Sequence, residues 1–253
     1  MTTQTKLRAF HGDKKVKEKY IARVKAHAEA DEIIKGKYWQ GGKGCAVGCT
    51  VHSDSHRSYE TELGIPRVIA RLEDRIFEGM SNDQAKDFPL KFLEAINVGA
   101  DLSLVWYKFL VWLLDDPTEG VGRYIKREKP AFDKAVANYK KIIEGESISL
   151  AEWIEIRDES WRERNAAHAA TAAADATADA YAAAHAADAA TYAAHADAAA
   201  AHAADAYAAA HAAHAYVAAA YAAAAHAVHA NAAISKSFNR QAEKLLEILK
   251  ETK

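Results

Sequence analysis

Apolar positions recur every three or four residues through most of the chain, and residues that start or stop helices punctuate them at helix-length intervals. Asp13 caps a first helix whose apolar stripe is Val16, Tyr20, Val24 and Ala28, with Gly36 as its stop. A glycine-rich turn follows, with Gly41, Gly42 and Gly44 around Lys43; residues 45–49 then begin a short helix, and 53–58 form a polar loop. Pro66 opens a helix carrying Val68, Ile69, Leu72 and Ile76 on one stripe and stopping near Gly79. Ser81 with Gln84 makes a capping-box pattern. Residues 88–96 predict a brief helix, 102–114 a buried one closed by Asp116-Pro117, and 130–144 an amphipathic one ended by Gly145. Ser149 with Glu152 repeats the capping-box pattern, and no Gly or Pro occurs from there to residue 253. Alternating β-branched runs hardly appear, so the expected class is all-α.

Composition changes the picture after residue 164. Residues 165–233 are almost two-thirds alanine, the rest being His, Asp, Tyr, Thr, Val and Asn. Alanine loses no side-chain entropy in a helix, so this tract reads as helical, either one rod or hairpins bent at Asn165, near 203–206 and around Asn231. Tyr181, Asp188, His195 and His202 keep a seven-residue spacing, which Tyr207, His214, Tyr221 and Val228 resume after a five-residue step. Alanine surfaces bury little area per contact, so stability must come from long close packing, which favours a bundle or homo-oligomer. The expected division is a helical globular domain at 1–145 and an alanine-rich oligomerisation region at 146–253. The latter closes on an amphipathic helix with Phe238, Leu245, Leu246 and Leu249 on one side.

Charge and segment lengths then narrow the classes. The net charge of −2 conceals five tract aspartates, which leaves the remainder near +3, and neither value fits a dedicated nucleic-acid binder. Residues 1–10 lack the apolar core of a secretion signal, and the stretch 102–114 is interrupted by Ser103 and Lys108 and is too short to span a bilayer. No membrane and a cytoplasmic location are therefore expected, with Cys45 and Cys49 reduced.

Candidate chemistry concentrates at residues 41–57. A glycine-rich helix start offers backbone N–H groups to an anion, with Lys43 and Arg57 as cations, Trp39 to stack a ring, and Arg67 on the next helix. The candidate ligand-binding set is Trp39, Lys43, Gly44, Cys45, Arg57 and Arg67. The spacing is not that of an NTPase phosphate loop. Should the helix run on through His56, Cys45, Cys49, His52 and His56 would share one face; a zinc site would still require the loop at Ser53 to fold back. As a nucleophile, Cys45 beside Lys43 at a helix start would favour thiolate, with His52 or His56 as base. The plainest alternative makes the glycines packing residues and the cysteines small buried hydrophobes. Arg67, Arg71 and Arg75 read as a solvated face with Glu73 and Asp74 as local partners. In the tract, His211/His214, His226/His229 and His202/Asp205 share helical faces, a spacing open to metal; its eight histidines beside five aspartates also suggest a pH response.

The strings Lys43-Gly-Cys-Ala-Val-Gly-Cys49, Glu62-Leu-Gly-Ile-Pro66, Leu72-Glu-Asp-Arg-Ile-Phe77 and Asn97-Val-Gly-Ala-Asp101, ahead of the alanine-rich tail, resemble a family of bacteriophage and bacterial proteins. The resemblance implies a bacterial or phage cytoplasm and carries no catalytic residue with it. The resulting expectation is a non-enzymatic binding protein without catalytic residues, resident metal or cofactor, which sequesters a small anionic or nucleotide ligand or a host protein. The alternatives are a thiol enzyme using Cys45 or Cys49 with His52 or His56, and a purely structural helical assembly.

Overall fold

The computed structural model describes residues 7–125, 129–173 and 230–253. The fold is predominantly α. In chain order its helices are α1 (Lys14–Glu29), α2 (Ala46–Val51), α3 (Arg57–Leu63), α4 (Arg67–Gly79), α5 (Asn82–Ala85), α6 (Phe88–Ala95), α7 (Val105–Asp115), α8 (Pro130–Ile143), α9 (Leu150–Ala173) and α10 (Ala230–Glu251). Two short strands, β1 (Trp39–Gln40) and β2 (Lys43–Gly44), form an antiparallel hairpin that the expected scarcity of β structure did not include. No helix among the described residues is long and apolar enough to cross a membrane.

The contacts divide the chain into two units, one of 1–106 with 238–253 and the other of 107–237. The last helical segment therefore groups with the N-terminal helices and not with the tract that precedes it.

In the first unit, Asp13 caps α1 as expected, its carboxylate accepting the Lys15 amide at 2.8 Å. The helix ends at Ala30, short of Gly36, because the chain turns at Asp31, which adopts a left-handed φ of 54°. Tyr20 and Val24 are buried, and α1 packs on α2 and α6. Helix α4 starts after Pro66 and buries Ile69, Leu72 and Ile76, as the stripe predicts. It also buries Glu73 completely and Asp74 to 9% exposure, which corrects the expectation of a solvated face. Both carboxylates are covered because α2 and α3 pack on α4. From α10, Phe238, Leu245 and Leu249 enter the core, and Asn97 donates to the carbonyls of Lys250 and Thr252 at 3.1 and 2.8 Å. Ser81 caps α5 through its carbonyl, which accepts the Gln84 and Ala85 amides, and not through its hydroxyl, which meets the Gln84 side chain at 3.5 Å.

In the second unit, α8 packs on α9, with Phe132, Val136 and Tyr139 buried from one and Trp153 and Ile156 from the other. The rings of Tyr139 and Trp153 lie 5.1 Å apart. The expected capping box at α9 is formed reciprocally: the Ser149 amide donates to Glu152 at 3.0 Å and the Glu152 amide to Ser149 Oγ at 3.2 Å. Helix α9 continues through Asn165, so no bend occurs there, while the bend expected around Asn231 falls at the edge of the described residues, where α10 begins. The tract's repeat, its seven-residue spacing, its histidine pairs and the proposed bend at 203–206 lie outside the described residues.

Candidate functional site

The hairpin β1–β2 organises the chemistry of the first unit. Gly41 and Gly42 both adopt positive φ, +61° and +84°, the backbone of a two-residue hairpin turn whose twist suits antiparallel strands. Trp39 pairs with Gly44 and Gln40 with Lys43. The next turn, α2, lies directly on the backbone of Tyr38, where a Cβ on Gly48 would stand 1.4 Å from the Tyr38 carbonyl oxygen and one on Gly44 2.0 Å. Only glycine at these positions lets the helix and hairpin meet.

This close meeting engages the amides expected to cradle an anion. The Gly44 N–H donates to Glu32 O at 3.1 Å, and the Cys45 N–H to Lys37 O at 2.7 Å and Tyr38 O at 3.2 Å. Of the six expected ligand-binding residues, Trp39, Lys43, Gly44 and Cys45 follow the hairpin into α2, Lys43 being exposed. Arg57 and Arg67 begin α3 and α4. A cavity of about 190 Å³ beside the hairpin is lined by Gly36, Lys37, Tyr38, Cys45, Asp74 and Glu78. Cys45 is its single member of the expected set. The walls it adds are carboxylates from α4, one helical turn apart.

Helix α2 ends at Val51, and His52 takes a left-handed φ of 53°. Cys45, Cys49, His52 and His56 therefore do not share one helical face, and the four-ligand arrangement that needed a longer helix is not formed. They divide between two clusters. In the first, one oxygen each of Asp74 and Glu78 and the Cys45 Sγ lie within 4.8 Å of one another. His56 Nε2 meets Asp74 Oδ2 at 3.2 Å, and the Cys45 thiol is a further hydrogen-bond partner of the Asp74 carboxylate. The Gly36 amide donates to both oxygens of Glu78, at 3.0 and 3.1 Å. Behind them, Tyr59 donates to the buried Glu73 at 2.7 Å.

Burial pushes the Cys45 thiol far above its ordinary range, the charge of Asp74 and the thiol's hydrogen bond to it add to this, and the Gly48 and Val47 amides oppose it. Its charged neighbour is Asp74 and not Lys43, so the expected thiolate is not favoured. Cys49 is pushed up to about 11, again chiefly by burial, and its thiol donates to Gly44 O at 3.3 Å. Burial likewise raises Glu78, against the Gly36 amide.

The second cluster joins the end of α1 to the end of α2. His27 Nδ1 meets Glu32 Oε2 at 2.6 Å, and His27 Nε2 meets His52 Nε2 at 2.8 Å. One tautomer pair satisfies both contacts: His27 Nδ1–H facing Glu32, with His52 Nε2–H donating to the His27 Nε2 lone pair. Trp39 stacks on His52 with centroids 4.3 Å apart and presents an edge to His27. Burial, then Arg23 and His27, lower the His52 pKa and favour neutral imidazole. Sequence reasoning singled out Trp39 and His52 but missed His27. Its signal is a carboxylate five residues later, across a helix end, where helical periodicity no longer says which groups face each other. No protein-family profile, curated protein or solved structure matches the chain, and these two clusters are read from their own chemistry.

Proposed function

We propose that the protein is a non-enzymatic binding protein whose N-terminal unit holds a divalent metal ion at Cys45, Asp74 and Glu78. One observation carries this reading: the Cys45 thiol and one oxygen each of Asp74 and Glu78 lie within 4.8 Å of one another on one cavity wall. Crowded acidic groups resist ionising together. A cation answers this, since it takes the thiol proton's place and turns mutual repulsion into shared ligation.

A thiolate with carboxylates suits zinc and its stand-in cobalt. Ligand atoms of one such ion stand about 3–4 Å apart, so the trio need close by no more than about 2 Å. His56 would hold Asp74 from behind, as outer-shell groups do, and the cavity leaves a position for water. The ligand changes sign from the anion expected of the glycine-rich turn, because the Gly44 and Cys45 amides are engaged by carbonyls. Deep burial and a raised pKa argue against Cys45 as a nucleophile.

Cobalt(II) titration tests the proposal. The expected result is one equivalent per chain with a near-ultraviolet thiolate-to-cobalt band, lost in Cys45→Ser and kept in Cys49→Ser. Saturating cobalt without such a band, or a band that survives Cys45→Ser, overturns it.

A further inference from the structure

We propose that His27 and His52 form a second, separate metal site, for a divalent ion that prefers imidazole and square-planar geometry, copper(II) or nickel(II) by class. Two imidazole nitrogens from different helices approach to 2.8 Å, and one is oriented from behind by a carboxylate at 2.6 Å. A carboxylate on the far nitrogen is the usual companion of a metal-ligating histidine, because it fixes the tautomer and leaves the Nε2 lone pair outward. Bonds of about 2.0 Å meeting at about 90° place two nitrogens about 2.8 Å apart, whereas a tetrahedral angle needs about 3.3 Å. The observed separation, now that of a hydrogen bond, is one at which a cis pair in a square-planar site can form without the two helix ends moving apart.

The ring centroids stand 5.0 Å apart, so the two nitrogens now point almost at one another across a shared hydrogen. His52 is an exposed residue at the end of α2; for both lone pairs to meet at one ion, each ring turns by about 45° from the shared axis, and the ion replaces that hydrogen. The charges around His52 are mixed: Arg23 opposes a cation, and Glu62 and Glu32 offset it. Water completes the remaining positions. This site shares no ligand with Cys45, Asp74 and Glu78, and its chemistry is all-nitrogen where that one is thiolate and carboxylate.

The indole of Trp39, stacked on His52, is a local reporter. Nickel(II) is the probe, since it does not oxidise the free thiols, and tryptophan fluorescence of the full chain is the readout because the tract's histidines stand as competing sites. The expected result is saturable quenching that vanishes in Trp39→Phe, in His27→Asn and in His52→Asn, with helical circular dichroism unchanged. Glu32→Gln should weaken the affinity by about 10–100-fold while keeping the quenching at saturation. Cys45→Ser should leave the quenching intact, so failure here is distinguishable from failure at the cobalt site. Quenching that persists in both histidine variants, or absence of any saturable component owed to Trp39, overturns the proposal.

Discussion

Glu73 is fully buried, with one oxygen held by Tyr59, and burial raises its pKa well above the ordinary 4.5. The neutral acid is thus the form the fold accepts. A raised folded-state value means that its contribution to stability is whole below pH 4.5 and drains away as pH rises through the folded pKa. Glu73→Gln keeps an acceptor for Tyr59 and cannot ionise. We expect the variant to gain on the wild type between pH 4.5 and pH 8, read as urea midpoints at the two pH values; a difference independent of pH would refute this. At this scale the sequence was legible where a residue acts alone. Trp39 and Cys45 were singled out, and both lie in or beside a cluster. The burial of Glu73 and Asp74 was not legible, because it depends on α2 and α3 covering α4, and nothing within Arg67–Gly79 says which of its polar positions will be covered.

Among elements, helix starts were read better than helix ends. Asp13, Pro66 and Ser149 act where expected, since a cap works within its own turn. Ser149→Ala removes the hydroxyl that accepts the Glu152 amide and should cost about 1 kcal/mol, measurable by thermal denaturation. A loss near zero would mean that water replaces the cap. The end of α1 was misplaced because Asp31 adopts left-handed backbone without being glycine, a conformation the surrounding packing must sustain, whereas α2 ends just ahead of the expected polar loop. The Gly41-Gly42 pair was read as a turn but not as a hairpin, although two adjacent glycines between short runs are a hairpin signal. That hairpin separates the imidazole cluster, with Trp39, from the thiol–carboxylate cluster, with Tyr38 and Cys45.

For the molecule as a whole, the first unit is discontinuous in sequence. The Phe238 ring lies where a Cβ on Gly79 would come within 2.0 Å, and Arg75 sits over it at 5.6 Å, so a gap in α4 receives a ring from α10. Phe238→Ala should destabilise the first unit by about 3–5 kcal/mol, the usual cost of emptying such a place. Limited proteolysis checks it: cleavage should rise within 7–106, and an unchanged pattern would place the stability of that unit elsewhere. The sequence indicated an amphipathic last helix with Phe238, Leu245 and Leu249 on its apolar side, but not its destination. Amphipathicity states that a face is buried and leaves open against what.

The order of synthesis gives that discontinuity a temporal meaning. Residues 238–253 leave the ribosome only after all of 107–237, about 130 residues and on the order of ten seconds behind the helices they complete. Until then the first unit carries an unfilled place beside Gly79 and unpartnered donors at Asn97. The residues of both metal clusters have already been made by that time. A ribosome that stops early therefore releases a chain with every proposed ligand present and its core open, a product that quality-control proteases can distinguish from the finished one.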